Sequence, residues 1–261
     1  MTEWVDVGGV RIAWEAFGPD DAPVLVFSHS LGADSSMWAP QAESLAADFR
    51  VVLVDTRGHG KSGAPPGPYS VDVLAQDVLA AAVAAGVDRF HMCGLSMGGH
   101  IGLWIAGHRP ERLASLIACN TAAKLSTPQA WNDRIEAVGG GGMDSVREAV
   151  IDKWFAPGFA DAYPDRFREA NRVFSSLSAD GYVACCAALA ASDLTEFVAG
   201  ITVPSLIIGG RHDVATPPAQ AEWLYERIPG SELTIFDGAA HLSNLDVPDE
   251  FTARLRAFVA G

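Results

Sequence analysis

Two rhythms divide this chain. Over residues 1–123, and again over 197–261, short runs of β-branched and aliphatic residues alternate with stretches whose apolar positions recur at helical spacing. The runs 5–7, 10–16, 24–28, 51–54, 89–93, 115–119, 203–208 and 233–236 predict strands, the first two joined as a hairpin through Gly8-Gly9. Several are continuously apolar rather than alternating, the pattern of strands buried on both faces. Helical spacing covers 38–47, 70–85, 99–108, 219–227 and 248–259, with Ser70 placed to cap the second of these and Gly86 just past its end. Strands alternating with helices predict an α/β fold: a mainly parallel, eight-stranded sheet with helices on both faces.

Residues 124–196 lose that alternation. Stretches 131–138, 143–155, 167–174 and 182–189 read as helices with no strand between them, and the glycines at 139–142 predict a flexible joint. The expected organisation is a core built from 1–123 and 197–261, with 124–196 forming a helical cap, or lid, over the strand ends.

Chemistry enters at Gly94-Leu95-Ser96-Met97-Gly98. It stands between a predicted strand and a predicted helix, the context in which G-x-S-x-G forms a tight nucleophile turn. A serine nucleophile needs a base, and the base needs an orienting acid. Asp213 follows the strand 203–208 and His241 follows the strand 233–236, which makes them the candidate acid and base. His29-Ser30-Leu31-Gly32 follows the third strand, so the amides of Leu31 and Met97 are candidates to meet negative charge on a reacting oxygen. Trp131, Trp154, Phe155 and Phe159 are available to line a pocket under the cap.

Two motifs do not carry through. Gly58-His59-Gly60-Lys61-Ser62-Gly63 has the spacing of a dinucleotide fingerprint, but Ala64-Pro65-Pro66-Gly67-Pro68 follows where a helix must open. Asp55 occupies the place of the first glycine of a phosphate-binding loop, and no two histidines share a helix face at metal-ligand spacing. With 32 acidic against 18 basic residues the net charge is -14, which argues against nucleic acid and anionic membrane surfaces as partners. No apolar run reaches the ~18 residues of a membrane span. Four cysteines without metal-type spacing and an N-terminus without a signal-peptide pattern lead to the expectation of a reducing cytoplasm. The pattern leaves the oligomeric state open, a homo-oligomer included.

The chain resembles the α/β-hydrolase superfamily and, within it, the 3-oxoadipate enol-lactonases of bacterial aromatic catabolism. The segments that carry the likeness are Ser30-Leu-Gly with Met37-Trp38, Asp55-Thr-Arg-Gly-His-Gly-Lys-Ser62, Gly94-Leu-Ser-Met-Gly-Gly99, Asn120-Thr-Ala-Ala-Lys124 with Trp131-Asn-Asp-Arg134, Trp154-Phe155, Gly181-Tyr-Val-Ala-Cys-Cys186, Gly210-Arg-His-Asp213 and Ala239-Ala-His241. The second and third are shared across the superfamily, while the cap segments and the surroundings of Asp213 and His241 are more specific. The resemblance implies an α/β-hydrolase fold and Ser96, Asp213 and His241 as the catalytic triad. It further implies a small anionic lactone as substrate, no metal or organic cofactor, and a pocket contacted by Trp131 and Arg134. For the substrate carboxylate Arg134 leads, with Lys124 and Arg57 behind it. A broad carboxylesterase of the same fold and a non-catalytic binding protein are the other readings.

Overall fold

The structure is a computed structural model describing residues 1–261. Its strands are β1 (Glu3–Val7), β2 (Val10–Phe17), β3 (Val24–Ser28), β4 (Arg50–Val54), β5 (Phe90–Leu95), β6 (Leu113–Cys119), β7 (Ser205–Gly210) and β8 (Glu232–Phe236). They form one eight-stranded sheet in the order β1-β2-β4-β3-β5-β6-β7-β8. The hairpin β1–β2 joins β4 antiparallel, and every pairing from β4 to β8 is parallel. All six residues of β7 are buried, as are the last four of β3 and of β4, which explains their unbroken apolar runs.

Helices α1 (Ala39–Leu45), α2 (Val71–Ala84) and α3 (Met97–His108) follow β3, β4 and β5. Next come α4 (Pro128–Gly141), α5 (Asp144–Ile151), α6 (Phe159–Ala162), α7 (Pro164–Ser176) and α8 (Ala179–Ala191), all between β6 and β7. The last are α9 (Pro218–Arg227), α10 (Ser243–Asp246) and α11 (Pro248–Ala260). Helix α2 packs on α3 and α1 on α11, so the sheet carries helices on both faces. The two ends of the α4–α8 segment lie side by side. Leu194 N–H donates to Ala123 O at 2.8 Å, and Lys124 pairs with Asp193 at 2.8 Å.

Three local expectations are corrected. The glycines at 139–142 do not form a joint: α4 runs on through Gly141 and turns only at Gly142, where φ is 69°. Ser145 Oγ donates to both Ala137 O and Gly142 O, tying the end of α4 to the start of α5 where the glycines have no side chains to do so. Helix α5 stops at Ile151 rather than running to Phe155, because Lys153 and Trp154 close tighter turns onto Val150 and Ile151. Ser70 stands at the N-cap of α2 with extended backbone, but its hydroxyl caps nothing. The four cysteines are unpaired and buried, consistent with small apolar side chains in a packed core. No single helix is long and apolar enough to cross a membrane.

Candidate active site

The sharpest backbone feature lies where β5 passes into α3. Ser96 has φ 56° and ψ -111°, a region that costs a residue with a side chain on the order of 1–3 kcal/mol. The surroundings impose it. Ser96 N–H donates to Cys119 O at 2.9 Å, Gly98 N–H to His29 O at 3.1 Å, and Thr121 Oγ1 to Ser96 O at 2.8 Å. The flanking glycines are required by close approach: a Cβ on Gly94 would stand 2.1 Å from Gly98 O, and one on Gly98 would stand 2.2 Å from Ser28 O.

Asp213 and His241 meet beyond the carboxyl ends of β7 and β8, with His241 Nδ1 2.9 Å from Asp213 Oδ2. The carboxylate is held from all sides. Oδ1 accepts from the amides of Ala215 and Thr216, each at 2.8 Å, and Oδ2 also accepts from Asn120 Nδ2 at 2.9 Å and Thr216 Oγ1 at 2.7 Å. Burial alone would raise the Asp213 carboxyl, but the charge and hydrogen bond of His241, with the bonds from Asn120 and Thr216, outweigh it and hold the group below its ordinary value. An ionised Asp213 fixes the His241 tautomer with Nδ1 protonated, leaving Nε2 as the free base. Asn120 is itself anchored, donating to Ala240 O at 3.0 Å and accepting from Ser243 Oγ at 2.6 Å. His212, next in sequence to Asp213, is exposed.

Ser96 and His241 open into one cavity of about 190 Å³, and Ser96 Oγ is uncommitted to any hydrogen bond within the chain. Around it, the amides of Ser30, Gly32, Ser96 and Gly98 are engaged by Met37 Sδ, His59 Nε2, Cys119 O and His29 O. The amides of Leu31 and Met97 are not, so two N–H groups remain free beside the serine. Buried histidines shape this loop. Thr56 N–H donates to His29 Nε2 at 2.9 Å, which assigns the proton to Nδ1, 2.8 Å from Ser30 O. Burial, reinforced by the neighbouring His29, pushes His59 down to about 3 and keeps it a neutral acceptor for Gly32 N–H.

Trp131, Arg134 and Trp154 all line the cavity. Arg134 lies over the Trp131 ring at 5.0 Å and donates to Tyr182 OH at 3.4 Å, with no carboxylate partner. The two reserve cations are corrected. Arg57 is committed to the buried Asp77 through two hydrogen bonds of 2.5 Å, and Lys124 to Asp193. Lys153, which the sequence did not single out, lines the cavity beside Arg134. Asn120 and Thr216 were also missed, since each acts through Asp213 from a distant strand end or a short loop. No Asp or Glu lines the cavity.

A family model described as alpha/beta hydrolase fold matches residues 23–248. The chain is 38% identical over 248 residues to 3-oxoadipate enol-lactonase 2 of Acinetobacter baylyi, covering 95% of this chain and 92% of that protein. It is 32% identical to a putative carbamate hydrolase of Rhizobium rhizogenes, covering 94% and 97%. Among solved structures, the enol-lactonase from Burkholderia xenovorans LB400 superposes with a TM-score of 0.97 at 37% identity, over 99% of this chain and 100% of that one.

Proposed function

The chain belongs to the α/β-hydrolase family and is related to the enol-lactonases, and from that premise we propose that it opens the ring of 3-oxoadipate enol-lactone to 3-oxoadipate. His241 Nε2 takes the Ser96 proton as Oγ attacks the lactone carbonyl, and Asp213 stabilises the imidazolium. The amides of Leu31 and Met97 receive the charge on the carbonyl oxygen. Collapse of the tetrahedral adduct breaks the ring C–O bond and releases an enolate that stays tethered to the acyl-enzyme. It takes the proton from the His241 imidazolium and becomes the ketone, which returns His241 to its neutral form and removes the nucleophile that could close the ring again. Water activated by His241 then hydrolyses the acyl-enzyme.

The observation that carries the anionic substrate is the cavity lining. In a chain of net charge -14, the cavity holding Ser96 and His241 contains two cations, Arg134 and Lys153, and no carboxylate. The guanidinium of Arg134 suits a carboxylate, which it binds through paired N–H groups. In this reading the segment 124–196, helices and connecting turns together, is the lid that supplies Trp131, Arg134, Lys153 and Trp154 to a site built on the core.

The deciding experiment compares kcat/KM for 3-oxoadipate enol-lactone with that for p-nitrophenyl acetate. A lactone value of order 10⁶ M⁻¹s⁻¹ beside a feeble acetate value supports the lactonase. The reverse ranking assigns the same residues to a general esterase.

A further inference from the structure

A second cavity, of about 330 Å³, lies beside the catalytic one. Its floor is apolar, formed by Met37, Pro40, Val173, Leu242 and Leu245, and its rim carries Asp34, Asp165, Glu169 and Arg166. The two chambers differ in character: the inner is cationic and free of carboxylates, the outer apolar with three carboxylates against one guanidinium. One residue lines both, Trp154.

Trp154 is fixed in this position. Its indole meets the Phe174 ring edge-on at 5.8 Å, and its carbonyl accepts from Leu242 N–H, the residue after His241, at 2.8 Å. It also abuts the loop that bears Leu31: a Cβ on Gly32 would meet its ring at 3.1 Å. Ser30 and Leu31 line the inner chamber and Ala33 the outer, so the same loop borders both.

We propose that Trp154 is the specificity-determining partition of this site, closing the inner chamber to the size of a small lactone acid and separating it from an apolar chamber suited to an uncharged aliphatic chain. The inference rests on the hydrolase reading of Ser96. An acyl chain that crossed the partition would leave water for the outer floor, at about a fourfold gain per methylene buried. With Trp154 in place that gain is out of reach.

The test compares p-nitrophenyl octanoate with p-nitrophenyl acetate in the wild type, Trp154→Ala and Trp154→Leu. The octanoate-to-acetate ratio of kcat/KM is expected to rise roughly 10- to 100-fold in the variants, whatever happens to either rate alone. Adding Val173→Trp to Trp154→Ala, which fills the outer floor, should reverse the gain. An unchanged ratio in a folded variant, or a gain that survives Val173→Trp, overturns the partition. Should no protein hydrolyse either ester, binding decides the partition separately, and the hydrolase reading fails only if the wild type also leaves 3-oxoadipate enol-lactone intact. The neutral fluorophore N-phenyl-1-naphthylamine should then bind the wild type without competition from adipate, and compete with adipate in Trp154→Ala. Equal competition in both proteins would overturn the partition.

Discussion

At the scale of single residues, the site depends on groups whose roles are separable. Ser96→Ala should lower turnover by several orders of magnitude without loss of fold, since the strained turn is held by backbone contacts rather than by the hydroxyl. Fluorophosphonate labelling of the wild type but not the variant checks the assignment. Asp213 is held below its ordinary value, so it stays ionised above about pH 4 and contributes no fall in rate between there and neutrality. His241→Gln should lower turnover by several orders of magnitude with the fold intact, and a variant that keeps its rate would point to a different base. Arg134→Ala should raise KM for the anionic lactone by about tenfold or more and leave that for a neutral ester nearly unchanged. Equal effects on both would remove Arg134 from carboxylate recognition. The residues that bind one another directly in sequence terms were legible here, Ser96 through its glycines above all. Asn120 and Thr216 were not, because nothing in a local pattern shows which distant carboxylate they will meet.

At the scale of elements, two junctions decide the geometry. The first is the β5–α3 turn, where Gly98 lies under the end of β3. Gly98→Ala should cost about 1–3 kcal/mol or more, by forcing the turn away from Ser28 O, and activity should fall further than stability does. Thermal unfolding beside kcat separates the two. The second joins the α4–α8 segment to the His241 loop. Asp246 accepts from Ala240 N–H at 2.7 Å and from Ala156 N–H at 3.1 Å, so one carboxylate ties the loop of His241 to the chain just after Trp154. Burial, with Asp213 adding repulsion and the two amide bonds opposing, pushes Asp246 up to about 6. A carboxyl raised on folding contributes stability that is full below its unfolded value, near 4, and is lost as pH rises through about 6. Asp246→Asn keeps an acceptor without the charge, so its Tm relative to wild type should rise across that window. A constant difference from pH 4 to 7 would show that the carboxyl does not titrate there. At this scale the apolar pattern located every strand, since buried strands write their environment into their composition. It misjudged the glycines at 139–142, where Ser145 rather than the glycines sets the path, and it did not show α6 or α10, each too short to have a period.

For the whole molecule, charge and cavity pull in opposite directions. In the proposed function an anionic lactone must approach a chain of net charge -14 to reach a chamber lined by two cations. Raising ionic strength from about 10 to 150 mM shortens the screening length from about 30 to 8 Å, which mutes the distant charges more than those in the chamber. The expected result is a rise of roughly twofold in kcat/KM for the lactone and none for a neutral ester. A fall would mean that Arg134 and Lys153 already dominate the field at the entrance, and Lys153→Gln should then weaken the salt dependence. The sequence by itself determined the alternation of strands and helices, the helical break at 124–196, the serine turn, and the positions of Asp213 and His241. Each of these follows from local composition, spacing or the steric demands of a turn. Only the tertiary structure decided that Arg57 and Lys124 are spent on Asp77 and Asp193 while Arg134 and Lys153 stay free, and that Trp154 stands between two chambers. Partnership and enclosure arise between segments far apart in the chain, and no local pattern encodes which side chains will share a wall.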